Sequence, residues 1–276
     1  MKYTTISDSH VHSCFSHDGN DPVMMLCDYA MKMGLYALTI TDHCECNMYE
    51  ERNYEKAIKD SFLETKRAAA ALNGKLHLYK GIELGQATQN LKAAESILSE
   101  CDFDFVLGSL HNIRNLEDFY LLDYNKLDVH DLLCTYFDEI MELIAWGKFD
   151  SLTHLTYPLR YIVGEQHRDI SYEVYRERID DILKALIEQN KALELNTSGL
   201  RQAIGKTMPC PTVIKRFKEL GGKYLTIGSD AHRWADIGSG VEEGYQIAQS
   251  AGFDHITIFV NREPVLLPLE LSLIHI

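Results

Sequence analysis

Short apolar runs alternate with longer amphipathic ones along the whole chain. Seven of the short runs read as strands: "TTISDSHVH", "LYALTITDH", "LHLYKGIEL", "FDFVLGSLH", "FDSLTHLTY", "ALELNTSG" and "YLTIGSDAH". Between them, apolar residues recur three and four apart, the spacing of a helix that buries one face. These patterns cover Pro22–Met33, Tyr54–Leu72, Leu91–Ser99, Val129–Ala145, Ser171–Gln189, Pro211–Leu220 and Val241–Ala251. Pro22 and Pro211 suit first helical turns, and Gly34, Gly74, Gly147 and Gly221 suit helix ends. Strand–helix alternation of this kind predicts parallel strands joined by crossover helices. Seven such units in about 250 residues favour a closed barrel. An open doubly wound sheet would carry a Gly-rich phosphate loop after an early strand, and "DSHVHS" has none. The run "HITIFV" predicts an extra strand beside the barrel. We read residues 1–264 as one domain and residues 265–276, "VLLPLELSLIHI", as an apolar tail, either a packing arm or an appendage.

Composition narrows the function classes. The chain has 276 residues, 46% of them apolar, enough for a sizeable core. Lys and Arg number 27 against 41 acids, a net charge of −14 that is a poor match to nucleic acid. It does not exclude an anionic small substrate, because bound cations reverse the local field. Seven cysteines are scattered through the chain, and "MKYTTISDSH" has no apolar signal region. No apolar run reaches membrane-spanning length. These features lead us to expect a cytoplasmic protein with free thiols and no membrane partner. Cys44 and Cys46 could be soft metal ligands, but they lack the second Cys or His pair usual in structural zinc sites.

The unusual residues fall at strand ends. "ISDSHVHSCFSHDG" places Asp8, His10, His12, His17 and Asp18 close together. On a strand, residues two apart point to one side, so His10 and His12 can face one ion. His43 ends the second strand after Asp42, Glu83 ends the third, His111 the fourth, His154 the fifth, and Asp230 and His232 the seventh. In a barrel of parallel strands these ends meet on one face. With Asp18 or His17 as a ninth, the set is too large for one ion, which takes three or four protein ligands. Two or three ions fit if a carboxylate bridges, and Glu83, an acid in the middle strand, is the candidate. Mixed imidazole and carboxylate ligands suit Zn, Mn or Fe.

In order and spacing, "DSHVHS", "TDH", "GIE", "SLHN", "THL" and "SDAH" resemble the motifs of the polymerase-and-histidinol-phosphatase (PHP) metal-dependent phosphoesterases. The resemblance runs from Asp8 to about His232. It implies a distorted seven-stranded (β/α)7 barrel with a trinuclear metal site at the C-terminal ends of the strands. It also implies a distribution of ligands. One ion would take His10, His12, Glu83 and Asp230, and a second Glu83, His43 and His111. A third would take His154, His232 and a residue from the loop after the first strand, which the family offset makes Asp18. Asp8 and Asp42 are expected to orient His10 or His43.

Two further stretches point to the substrate. "THLTYPLRY" places Arg160 just beyond His154, and "ELNTSGLR" places Arg201 at the end of the sixth strand. Arg offers a planar fork matched to phosphate. Both stretches resemble the histidinol-phosphatase branch of the family. That implies a phosphomonoesterase acting on L-histidinol phosphate in histidine biosynthesis, with Arg160 and Arg201 on the phosphate and Asp230 also in the catalytic set. Glu117, Asp118 and Tyr161 are candidates for the amine and imidazole of the substrate. The competing expectation is a PHP-type enzyme for another small phosphate ester or for nucleic acid ends.

Overall fold

The computed structural model describes residues 3–270. Its strands are β1 (Ser7–Val11), β2 (Ala37–Ile40), β3 (His43–Glu45), β4 (His77–Gly85), β5 (Phe105–Ser109), β6 (Ser151–Leu152), β7 (Ala192–Asn196) and β8 (Leu225–Gly228). They form one parallel sheet in the order β1-β2-β4-β5-β6-β7-β8, with β3 also paired to β4. β2 and β3 are two pieces of one strand position, both lying along β4 and interrupted at Thr41 and Asp42. Seven strand positions therefore match the expected barrel. β1 and β8 close it by backbone contacts: Asp230 N–H donates to His10 O at 2.8 Å and His12 N–H to Ala231 O at 2.8 Å. The distortion lies in β6, only two residues long, and in the irregular register between β1 and β2.

Helices cover the outside of the sheet. They are α1 (Val23–Met33), α2 (Tyr54–Leu72), α3 (Leu91–Glu100), α4 (Val129–Trp146), the single turn α5 (Tyr157–Leu159), α6 (Tyr172–Glu188), α7 (Pro211–Glu219) and α8 (Val241–Ser250). α4 shows how the sequence builds them. The Asp128 side chain caps the N–H groups of His130 and Asp131, and Leu132, Leu133, Tyr136, Ile140, Leu143 and Ile144 form the buried stripe. Gly147 then ends the helix in the left-handed conformation. Among the described residues, no helix is long and apolar enough to cross a membrane.

"HITIFV" forms β9 (His255–Val260), as expected of an extra strand, and it pairs antiparallel with β10 (Glu263–Pro268). Phe259 of this hairpin stacks on Phe105 at 5.1 Å between ring centroids, with Leu107 and Ala192 in the same buried cluster. The segment beginning at 265 thus enters as part of β10, and residues 271–276 lie outside the described residues.

Two buried aspartates fasten the ends of β1. Asp8 accepts from Ser229 N–H at 2.8 Å and Gly238 N–H at 2.9 Å, tying β1 to the loop after β8. Asp42, at the break between β2 and β3, accepts from Ser13 N–H at 2.6 Å, from the hydroxyls of Ser13 and Ser16 at 2.7 Å each, and from that of Ser61. Four donors on one fully buried carboxylate hold the loop that follows β1. Asp42→Asn keeps the size but turns one acceptor into a donor facing donors. Charge-assisted hydrogen bonds contribute roughly 1.5–3 kcal/mol each, so a loss of about 2–4 kcal/mol is expected. Urea unfolding of the variant beside the parent measures it, and a midpoint unchanged at equal slope would remove Asp42 as the anchor.

Candidate metal centre

Every strand position delivers a polar side chain to the C-terminal mouth of the barrel. β1 supplies His10 and, just past its end, His12. β3 supplies His43 and Glu45, two apart and so on one side. β4 supplies Glu83, the loops after β5 and β6 supply His111 and His154, β7 supplies Glu194, and the loop after β8 supplies Asp230 and His232. His154 and Asp230 have φ of 26° and 54°, a left-handed backbone that non-glycine residues rarely adopt.

Glu83 is the hub. Its carboxylate is fully buried, with five imidazoles around it. Oε2 lies 2.8 Å from His43 Nδ1, 3.4 Å from His10 Nε2 and 3.5 Å from His12 Nε2. Oε1 lies 3.0 Å from His154 Nε2 and 3.1 Å from His111 Nε2. Burial opposes its charge, yet His111, His43 and His10 hold the carboxyl well below the usual carboxylate range. Asp230 Oδ1 lies 3.4 Å from His12 Nε2 and 3.7 Å from His10 Nε2. Asp18 faces His232 at 3.1 Å and His43 at 3.6 Å, whereas His17 turns its Nδ1 to the Tyr54 hydroxyl at 3.3 Å.

All nine residues singled out as ligands therefore gather at one place; the sets His10, His12, Glu83 and His43, Glu83, His111 converge as the resemblance implies, while His154 and His232 stand apart from each other. His154 stands with Glu83 and His111, its Nε2 3.2 Å from that of His111. His232 stands with Asp18, His12 and His43. Glu83 shares one set of converging donor atoms with His10 and His12 and another with His43 and His111.

The donor atoms fit divalent cations. His10 Nδ1–H donates to Glu194 at 2.7 Å and His12 Nδ1–H to the Ser16 hydroxyl at 3.1 Å. In the neutral rings both Nε2 atoms then carry lone pairs, and these face each other at 3.0 Å beside two carboxylates. His111 Nδ1–H donates to Glu45 at 2.9 Å, which leaves its Nε2 lone pair against His154. Nitrogens bound tetrahedrally at ~2.0–2.1 Å stand roughly 3.3 Å apart, close to these separations. Among the described residues, Glu83 Oε2 is buried without a hydrogen-bond donor. A cation or a proton must resolve such an array. Accordingly, burial opposes the charge on His10, but Glu194, Glu83 and Asp230 raise its pKa well above the ordinary value. His12 shifts the other way, pushed down by burial and then by His43 and His232.

The sequence-based assignment of the orienting carboxylates is corrected here. Neither Asp8 nor Asp42 bonds the ring of His10 or His43. Asp8 accepts from backbone N–H groups, that of His10 among them at 3.4 Å, and Asp42 reaches the His12 ring and the His43 N–H through Ser16. Glu194 and Glu45 occupy the orienting positions. Their signal was available in strand alternation, since Glu45 is two residues from His43 and Glu194 two from Asn196.

Above the array opens a cavity of about 960 Å³ that Arg160, Arg201, Glu117, Asp118 and Tyr161 help to line. Arg160 lies over the Tyr161 ring, 5.2 Å from its centroid, with no carboxylate partner among the described residues. Arg201 is engaged already, donating to Ser229 O at 2.7 Å and Asp230 O at 2.8 Å. Tyr157, its ring 5.0 Å from both His111 and His154, bonds the Tyr161 hydroxyl at 2.9 Å and Asp118 at 3.3 Å.

Known proteins share this arrangement of chain. The sequence profile of the PHP domain matches residues 8–198. The probable histidinol-phosphatase of Thermotoga maritima is 30% identical over 253 residues, covering 91% of this chain and 94% of that one. The probable histidinol-phosphatase of Clostridium acetobutylicum is 28% identical, covering 89% and 93%. The fold resembles the crystal structure of histidinol phosphate phosphatase from Lactococcus lactis, complexed with Zn, L-histidinol and phosphate. The TM-score is 0.79 at 24% identity, over 95% of this chain and 99% of that one. A profile match over most of the chain, and strand ends that converge histidines and carboxylates in the order of its motifs, lead to one conclusion: this chain belongs to the PHP domain family.

Proposed function

We propose that the protein is a metal-dependent phosphomonoesterase that hydrolyses L-histidinol phosphate to L-histidinol and phosphate, in the cytoplasm, as a step of histidine biosynthesis. The observation that carries the reading is the set of opposed imidazole lone pairs around buried Glu83, at the floor of a cavity that also holds an arginine with no carboxylate partner among the described residues. The names of the relatives supply the substrate. His10, His12, Asp18, His43, Glu83, His111, His154, Asp230 and His232 would hold two or three ions of Zn, Mn or Fe, with Glu83 as the shared carboxylate. Bound there, such ions would polarise the phosphate and lower the pKa of a water nucleophile to about 7.

The chain's own groups do the rest. Arg160, with no carboxylate partner among the described residues, presents its guanidinium to the phosphate. Arg201 has spent two N–H groups on the carbonyls of Ser229 and Asp230. It therefore both fixes Asp230 and places positive charge beside the phosphate. Asp118, joined to Tyr157 and half-buried at the cavity wall, suits the substrate amine. Phosphate release from histidinol phosphate, from other small phosphate esters and from nucleic acid ends, with and without Zn or Mn, tests the assignment. Turnover fastest on another ester would replace the substrate and keep the chemistry.

Elemental analysis should find two or three transition-metal ions per chain, removed by chelation together with activity. Glu83→Gln should lose metal as well as rate, because one side chain serves two donor sets. Full metal content and full rate in this variant would defeat the bridging role.

Arg160→Ala should lower kcat/KM by about 30- to 1,000-fold, the equivalent of roughly 2–4 kcal/mol for a removed charge-stabilising donor. Metal content should stay at the parent value, and Lys should rescue only part, since it keeps the charge and loses the fork. Arg201→Ala should lose rate and also metal, because the Asp230 backbone is released. Near-parent efficiency in Arg160→Ala would take that residue out of the site.

A further inference from the structure

Two buried carboxylates outside the nine ligands stand in matching positions. Glu194 Oε1 accepts from His10 Nδ1–H at 2.7 Å, and Glu45 Oε1 accepts from His111 Nδ1–H at 2.9 Å. In both cases the opposite ring nitrogen, Nε2, points at Glu83, at 3.4 and 3.1 Å. Each carboxylate also faces a glycine on the adjacent strand. Gly85 of β4 pairs in register with Glu45 of β3, and a Cβ on it would overlap Glu45 Oε2 and come within 2.8 Å of Cδ. Gly228 ends β8 beside β7, and a Cβ there would overlap His10 Cβ and lie 2.7 Å from Glu194 Oε1. Neither glycine has a left-handed backbone, so conformation does not require it. What requires it is volume: that of the Glu45 carboxylate at Gly85, and that of the His10 side chain together with the Glu194 carboxylate at Gly228.

We propose that Glu194 and Glu45 are positioning residues, each seated in a hollow left by a glycine, that fix His10 and His111 as Nδ1–H rings with Nε2 free for metal. The inference rests on the metal-dependent reading above. A carboxylate can only accept here, so it dictates which ring nitrogen carries the proton. Glu194 is the more constrained of the two. Its Oε2 accepts from His154 N–H at 2.9 Å, Asn196 Nδ2 at 3.1 Å and the Thr153 hydroxyl. The same side chain therefore holds His10 through one oxygen and the left-handed His154 backbone through the other.

Glutamine at 194 would keep its oxygen toward the three donors and turn its amide NH2 to His10. That reverses the demand on Nδ1 and directs a proton onto Nε2. Glu194→Gln and Glu45→Gln should each weaken zinc binding about 10- to 100-fold, the usual effect of removing such a partner. Competition against a chromophoric chelator measures it, with thermal unfolding on the same samples. Gly228→Ala and Gly85→Ala should weaken zinc similarly, although both carboxylates remain. Nitrogen-15 spectra of zinc-loaded parent protein should show Nδ1–H on His10 and His111, with metal at Nε2. A purely structural role predicts lower unfolding temperature with unchanged zinc affinity. That result, or Nδ1 coordination in the parent, overturns the inference. The parent spectrum decides even if a variant does not fold. A parent chain that binds no divalent metal would defeat the metal-dependent function itself, a distinguishable failure.

Discussion

One buried carboxylate sets the terms for the mouth of this barrel. Among the described residues, Glu83 is fully buried with no hydrogen-bond donor on Oε2, and it is surrounded by imidazoles at contact distance. A buried charge must be paired, and buried lone pairs must be matched. Each neighbouring ring has to point a chosen nitrogen inward, which requires a partner for the other nitrogen. Those partners need room and anchors of their own. The serines around Asp42, the acceptors of Glu194 and Glu45, and the small residues beside them follow from that first demand.

The same demand explains where the backbone is strained. His154 and Asp230 both adopt positive φ to bring their side chains to the centre. Such a conformation persists only where surrounding contacts over-determine it. His154 N–H is held by Glu194, and the Asp230 carbonyl is held by Arg201 while its N–H bonds His10 O. Rigidity here is local and made from polar contacts. The apolar work is done elsewhere, in the helix stripes and in the Phe105–Phe259 stack between β5 and β9.

Much of this was legible in the sequence, for a physical reason. Strand–helix alternation determines a parallel barrel, and a parallel barrel brings strand ends together, so His10, His43, Glu83, His111, His154 and Asp230 could be placed on one face from their positions alone. Strand breaks, by contrast, follow from backbone contacts across the sheet. The division of the second position into β2 and β3 and the brevity of β6 carry no distinct pattern. The partners of the imidazoles were misassigned for a related reason. Asp8 stands two before His10, but the register of β1 shifts between Asp8 and Val11, and Asp42 sits in the break between β2 and β3, so regular strand alternation does not carry to either. Glu194, far from His10 in sequence, reaches it past Gly228 of the intervening β8. Arg201 was legible as a cation beside the site, while its grip on two carbonyls depends on loop conformation.

Electrostatics also shapes the site. The chain carries a net charge of −14, and Asp18, Glu45, Glu83 and Asp230 line the cavity, with Glu194 buried behind His10, against Arg52, Arg160 and Arg201. The side chains alone would repel a phosphate. Protons on the histidines offset part of the charge, as the raised pKa values of His10, His43 and His111 express, but they also occupy the nitrogens that metal would use. Divalent cations bound at these nitrogens would take the place of the protons and reverse the sign of the field. On the metal-dependent reading, the carboxylates would be spent on cations rather than presented to the ligand, which would let so acidic a chain hold an anionic ester.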